Sequence, residues 1–586
     1  MIDRGPADSA AERTNGHWMA AVLVFACLSV VHTWPLASEP GVLSRNDNGD
    51  AQLNEWIVAW VAHQLPRDPA HLFQANIFYP AKDVLAFSEP LIVPALIAAP
   101  ALWLGASPVL AINLLMLIGF TLTGLSAYAV AWAWTRDRLA GLAAGSLFAF
   151  NAHTLTRLAH VQAVHAYGLP LALLLTDRLI HAPRLATALG LGACMAMMAY
   201  TSGYFAVFAT VMIAVVVVVG LTRWLHQAAR VMGMLAIAAV TATALTLPLL
   251  LPYRRVATEQ HMVRPIAEVA LYSATVSGYL AAPGRVHIAT WSAGAFARPV
   301  DAFFPGVVAI ILSAIALWYA VRGVVGPGSS DPRRHGFAGP GSSDPGHVVM
   351  LIAVGTIGFL LSLGLQTPLY GWLYAVFPPM QGIRAAARFG NLFLLAVSLL
   401  AAIGLANLRK ATRYRRPIEL CAIAAVVLVN VEALRAPFGY RRWDGIPKIY
   451  EVLAREPGPV VLAEMPFYPT RTVFENAEYV VNSTAHWRPL MNGYSGYTPP
   501  TYVEAAAVMS QFPEPQAFAP MIATGVTHVT VHPKRFGRGA PEIIEELSRR
   551  NDFELIGIDE KSGIRLYRYV PKDLPPEGGS HRDRKP

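Results

Sequence analysis

Apolar residues come in runs long enough to cross a membrane, divided by short polar connections. A span needs about 20 such residues, and runs of that kind lie near 17–34, 109–134, 139–157, 163–180, 185–201, 203–221, 231–252, 303–322, 347–365, 389–407 and 417–436. The pattern predicts a mainly α, polytopic transmembrane protein with about eleven spans. The run at 88–106, "SEPLIVPALIAAPALWLGA", is interrupted by Pro90, Pro94 and Pro100 and reads as re-entrant or surface-lying rather than spanning. From Ala51, the residues Leu53, Trp56, Ile57, Trp60 and Val61 recur at helical spacing until Pro66. That spacing predicts an amphipathic helix lying on the membrane with its tryptophans at the interface. Beyond about residue 437 the pattern becomes that of a soluble α/β domain. "GPVVLAEMPFY", "THVTVH", "FELIGID" and "IRLYRYV" read as strands and "PEIIEELSRR" as a helix.

Composition sharpens this picture. Of 586 residues, 54% are hydrophobic and 14% charged, far from soluble globular usage. The formal charge of +9 does not point to nucleic acid, because the basic residues sit in clusters between apolar runs. These are Arg136 with Arg138, Arg178 with Arg184, Arg223 with Arg230, Arg322 with Arg333 and Arg334, and "LRKATRYRR" at 408–416. The positive-inside rule places all of them, and the N-terminus, in the cytoplasm. Residues 35–108 and 253–302 then form outer loops. The expected domains are a cytoplasmic tail (1–16), a transmembrane domain (17–436), an extracytoplasmic α/β domain (437–575) and a disordered tail (576–586). The first apolar run lacks a small-residue cleavage site and reads as an uncleaved span. Cys27, Cys194 and Cys421 all lie in apolar runs, so neither a disulfide framework nor a CxxC metal site is available. The loop 323–346 repeats "GPGSSDP" and reads as a flexible linker.

Five polar clusters carry candidate chemistry. In "NDNGDAQLNEW" (46–56), Asp47, Asp50 and Glu55 gather in an outer loop. Asp50 stands where a helix N-cap would be, and as a general base it could meet both a lipid-linked and a water-borne substrate. Asp47 and Asp50 could share a divalent cation, although two carboxylates are too few to define such a site. In "NAHTLTRLAHVQAVHAYG" (151–168), His153, Arg157 and His160 fall at i, i+4 and i+7 on one predicted helix face at an outer span end. Arginine in the middle of the set disfavours zinc and favours a phosphate, with the histidines donating to phosphate or sugar. In "MQGIRAAARFGN" (380–391), Arg384, Arg388 and Asn391 again share a predicted face, and outer guanidiniums run against the positive-inside tendency, which asks for an anion. The outer loop after Pro252, with Arg264, could act as a lid. In "NSTAHWRPLMNGYSGYTPP", Tyr494, Trp487 and Tyr497 suit either sugar faces or a packed loop core.

Taken together, residues 17 to about 436 resemble the GT-C superfamily of membrane glycosyltransferases. The resemblance rests on "NDNGDAQLNEW" in the first outer loop, "TRDRLAGLAAGSLFAFNAHTLTRLAH", "YSATVSGYLAAP" and "GIRAAARFGNLFLLAVSLLAAIGLANL". It implies a polyprenyl-phosphate-linked sugar as donor, its phosphate held by Arg384, Arg388 and Arg157. It implies a cell-envelope glycan, lipid or protein as acceptor, Asp50 as the base of an inverting transfer, and a place in the bacterial cytoplasmic membrane. The family's acidic residue usually follows the first span directly, whereas here about a dozen residues intervene, which leaves Asp47 open beside Asp50. The WWDxG signature of oligosaccharyltransferases is absent, so transfer of a preassembled glycan to asparagine is not implied. Two other readings stay open: a lipid or polysaccharide transporter, which would place ionisable residues near span centres, and a glycan-binding or assembly partner that keeps the fold without the chemistry.

Overall fold

The computed structural model describes residues 6–260, 262, 266–298, 301–325, 344–412 and 414–571. Arg264, most of the 323–346 linker and the 576–586 tail lie outside the described residues. The chain divides into two compact units, one comprising Met1–Arg45, Pro90–Leu251 and Val263–Arg442, the other Asn46–Glu89, Pro252–Met262 and Trp443–Pro586. The second unit therefore combines the C-terminal α/β segment with part of each expected outer loop.

The first unit is a bundle of apolar helices. Five helical stretches among the described residues are long and apolar enough to cross a membrane: Pro108–Thr135, Val161–His181, Leu221–Glu259, Pro345–Ser362 and Ala386–Ala411. Shorter apolar helices cover Gly16–His32, Ile92–Trp103, Arg138–Ala149, Leu185–Thr201, Gly203–Val219 and Val307–Arg322. The proline-interrupted run thus holds a helix of only 12 residues. Helix limits follow local chemistry. Ser107 caps Pro108–Thr135 by accepting from the Leu110 amide at 3.1 Å. Arg136, at φ +57°, ends that helix, and Asp137 caps the next by accepting from the amides of Leu139 and Ala140. Arg409 of the basic 408–416 cluster then pairs with Asp137.

Helix Gly390–Ala411 is buried along most of its length and packs against Val307–Val325, Pro345–Ser362 and Arg138–Ala149. Its closest approach is made at Gly404, where a Cβ would lie 1.8 Å from the Leu312 carbonyl oxygen. Small residues of this kind let helix backbones meet where lipid offers no hydrophobic drive to hold them together.

The second unit is built on a four-stranded sheet. The strands Leu462–Met465 and His528–Val531 pair in parallel, Arg565–Tyr569 runs antiparallel beside the latter, and Phe553–Ile558 forms the far edge. All four strands and the helix Ala540–Arg549 lie where the period-2 and proline signals place them. The two loop segments are held to the rest of the unit by polar contacts. Arg255 makes a two-pronged bond to Asp83 at 2.8 and 2.9 Å, and Tyr497 donates to the Gln260 carbonyl at 2.7 Å.

Helix Gly49–Gln64 departs from expectation. Instead of one apolar face, it buries an unbroken stretch from Leu53 to Ala62. Trp56 and Trp60 donate their indole N–H groups to Asn76 and to the Leu72 carbonyl within the same unit. A helix apolar on all sides belongs in a core, and the periodicity of its largest residues hid how small alanines and a neutralisable carboxyl complete the circumference.

The Gly404 contact can be tested directly. Gly404→Ala is expected to lower the unfolding midpoint in detergent, costing about 1–3 kcal/mol through forced helix separation. Gly382→Ala, where nothing lies within 4 Å of the new Cβ, should leave it unchanged.

Candidate functional site

Two breaks in the bundle's helices bring the cationic residues of the first unit together. The first follows helix Arg138–Ala149. Asn151 accepts from the Thr154 amide and donates to the Phe148 carbonyl, closing a single turn at Ala152–Leu155. Side-chain bonding of this kind competes with helix continuation, so the backbone passes through turns to a 3₁₀ segment at Val161–Val164. The second break precedes Gly390. The hydroxyl of Tyr204 accepts from the Arg384 and Ala385 amides, both at 3.2 Å, and holds that segment extended before a 3₁₀ turn at Ala386–Phe389.

His153, Arg157, His160, Gln162, Ser202, Tyr204, Arg388 and Asn391 line one pocket. The sequence argument therefore placed His153, Arg157 and His160 together for the wrong geometric reason, since no single helix carries them. The same correction applies to 384–391: Arg388 and Asn391 line the pocket, while Arg384 is absent from its lining and lies over the Tyr272 ring at 4.8 Å. The Arg388 guanidinium sits 4.4 Å from the Tyr204 ring centre, and Asn391 donates to the Arg388 carbonyl at 2.9 Å. His153 is buried and stacked on Phe303 at 4.6 Å, and neither of its ring nitrogens has a hydrogen-bond partner among the described residues.

Two of the guanidiniums here, Arg157 and Arg298, share a carboxylate. Asp301, 2% exposed, lies 3.6 Å from Arg157 and 2.8 Å from Arg298. Burial raises its pKa against the opposing pull of Arg298 and Arg157. Arg388 adds a further guanidinium, and Arg157 Nε has no partner among the described residues. The open volume is about 20 Å³, on the scale of one ordered water. A phosphoryl group would have to sit at the mouth or move side chains aside. Sequence reasoning missed Tyr204, Arg298 and Asp301. Their signal was the very short junction "TSGYF" between two apolar runs and a carboxylate just before the run at 303.

The acidic motif belongs to the second unit. Asn48, not Asp50, is the cap of helix Gly49–Gln64, its side chain accepting from the Asp50 amide at 2.8 Å. Asp50 is the second helical residue, and its carboxylate accepts from the Tyr494 hydroxyl at 2.7 Å. Tyr494, expected as a sugar platform, thus stands against the candidate base. Trp487 stacks on His63 at 4.1 Å and Tyr497 bonds to backbone, so both act as packing. Asp47 is exposed. Among the described residues no three His, Cys, Asp or Glu side chains converge as a metal ion would need.

No family model matches the chain, and no curated protein matches it. Among solved structures it is similar to the archaeal oligosaccharyltransferase AglB from Archaeoglobus fulgidus, in complex with an inhibitory peptide and a dolichol-phosphate (14% identity, TM-score 0.42, covering 96% of this chain and 75% of that one). It is also similar to an A. fulgidus oligosaccharyltransferase tethered with an acceptor peptide (11% identity, TM-score 0.46, the same coverage). ArnT from Cupriavidus metallidurans, bound to undecaprenyl phosphate, is a third (13% identity, TM-score 0.37, covering 94% and 97%). With every TM-score below 0.5, function is read from this chain's own residues.

Glu55 is buried in the helix interior, with Asn46 donating to it at 3.4 Å. Burial pushes its pKa from 4.5 up to about 8, the Asn46 bond pulling weakly the other way. The native state therefore keeps a proton that the unfolded chain releases, and stability falls as pH rises from about 4.5 to about 8 before levelling. Glu55→Gln is expected to raise the unfolding midpoint clearly at pH 8 and little at pH 5; equal shifts at both would contradict the buried, protonated carboxyl.

Proposed function

We propose that this chain is a membrane glycosyltransferase of the GT-C kind, moving a sugar from a polyprenyl-phosphate carrier to an extracytoplasmic acceptor hydroxyl with inversion. The observation that carries the reading is the pocket of the first unit, in which Arg157, Arg388 and His153, whose ring nitrogens have no hydrogen-bond partner among the described residues, converge at helix breaks, with Asp301 beside Arg157. Such a set is suited to an anion presented at the end of an apolar bundle, and a lipid-linked phosphate is one. The N-terminus and basic clusters are assigned to the cytoplasm and the second unit to the outer side of a bacterial inner membrane.

In the reaction, the acceptor oxygen bonds to the anomeric carbon while the carbon–oxygen bond to the phosphate breaks, and the electron pair leaves with the phosphate. Charge on the leaving phosphate grows through the transition state, so fixed guanidiniums favour that state over the ground state. The acceptor proton passes to Asp50. The Tyr494 hydroxyl donates to that carboxylate and orients it. Arg384 enters this account through the backbone it shares with Arg388, and Asp47 and Glu55 receive no proton-transfer role.

The test is transfer of radiolabelled sugar from undecaprenyl-phosphate donors to polymer in membranes enriched in the protein. Asp50→Asn should reduce the rate by about 10²–10⁴-fold, and Tyr494→Phe, which removes the bond that orients Asp50, should reduce it by a smaller factor. Full transfer by Asp50→Asn would overturn the base assignment, and donor binding without transfer to any acceptor would favour the glycan-binding reading.

A further inference from the structure

A second, larger cavity opens in the first unit at the other end of helix Gly168–His181. Its volume is about 480 Å³, and Arg178, His181, Arg184 and Thr187 line it over a floor of Asp177 and His347. The floor is internally balanced. Asp177 accepts from the Trp134 indole at 3.0 Å, and His347 and His181 stand 3.3 Å from its oxygens. Nearby, Arg223 is paired with Asp344 at 2.8 Å. The rim is not balanced, because Arg178 and Arg184 are exposed and neither has an ion-pair partner among the described residues.

A second feature adds to this charge. Helix Leu185–Thr201 begins at the cavity, and Arg184 occupies its N-cap position without any side-chain cap bond. The first-turn N–H groups of a 17-residue helix are thus uncapped beside two guanidiniums and the Thr187 hydroxyl. Uncapped helix N-termini and arginine forks both select anions with several acceptor oxygens. Just beyond, Leu185 and Leu189 on the same helix are 55% and 44% exposed, an apolar track leading away from the charged rim.

We propose that this cavity is a binding site for a phosphate ester, distinct from the Arg157–Arg388 pocket, with which it shares no lining residue. Clusters of positive charge alone would need neither a cavity nor a converging helix terminus. The phosphate is that of an anionic phospholipid headgroup, with acyl chains along Leu185 and Leu189, or of a soluble phosphate compound; both share the same recognition chemistry.

The experiment uses the full chain in detergent, with bound phosphatidylglycerol and phosphatidylcholine counted by native mass spectrometry and inorganic phosphate titrated calorimetrically. Wild type should retain phosphatidylglycerol in preference to phosphatidylcholine. Arg178→Gln with Arg184→Gln should weaken that retention by about 30-fold, whereas Arg230→Gln with Arg322→Gln, removing equal charge outside the cavity, should not. Phosphate binding lost in the cavity variant, without any phosphatidylglycerol preference, would support the site with a soluble ligand. If the double variant does not survive purification, Arg184→Gln alone carries the comparison. Retention of both probes by a folded cavity variant, or equal loss in the outside variant, would overturn the proposal.

Discussion

A buried guanidinium has to be paired, hydrated or met by an incoming anion, and much of the first unit's irregular geometry can be understood from that constraint. Arg157 and Arg388 lie among apolar helices, where removing a cation from water costs several kcal/mol. Asp301 offsets part of this through Arg157 and Arg298, and the Tyr204 ring offers Arg388 its electron-rich face. The helix breaks at Asn151 and before Gly390 are what bring these groups to one place. A continuous helix through either segment would aim its cations along an axis instead of into a shared pocket. The closely packed Gly390–Ala411 helix anchors one side of that arrangement.

The residues of the pocket were legible, but their geometry was not. Arginine and histidine at a span end stand out because lipid tolerates them poorly, so His153, Arg157, His160, Arg388 and Asn391 could be picked by type and position. Helical periodicity then extended too far. "RAAARF" has high helix propensity, yet its amides at Arg384 and Ala385 are taken by the Tyr204 hydroxyl from a distant part of the chain. Asp301 was passed over because a single carboxylate before a span gives no pattern; only the fold sets it beside two arginines. The sheet of the second unit was readable strand by strand, since each strand is bounded by its own turn and proline signals.

The acidic motif shows a subtler limit. Capping and catalysis competed for Asp50 in the sequence, and the structure separates them: Asn48 supplies the cap while Tyr494, 444 residues away, takes the Asp50 carboxylate. Glu55, chosen for its closeness in sequence, points to the interior because one helical turn carries it from the solvent edge into a packed core. Neighbouring carboxylates thus occupy different environments, a division invisible to spacing alone.

The central claim is that the Arg157–Arg388 pocket receives the phosphate of a lipid-linked donor. Direct binding of undecaprenyl phosphate to the purified protein, compared between wild type and folded Arg157→Gln and Arg388→Gln variants, tests it without reference to any acceptor. The account predicts that each variant binds at least about tenfold more weakly, as loss of a charge-assisted bond requires. Unchanged affinity in both would contradict it.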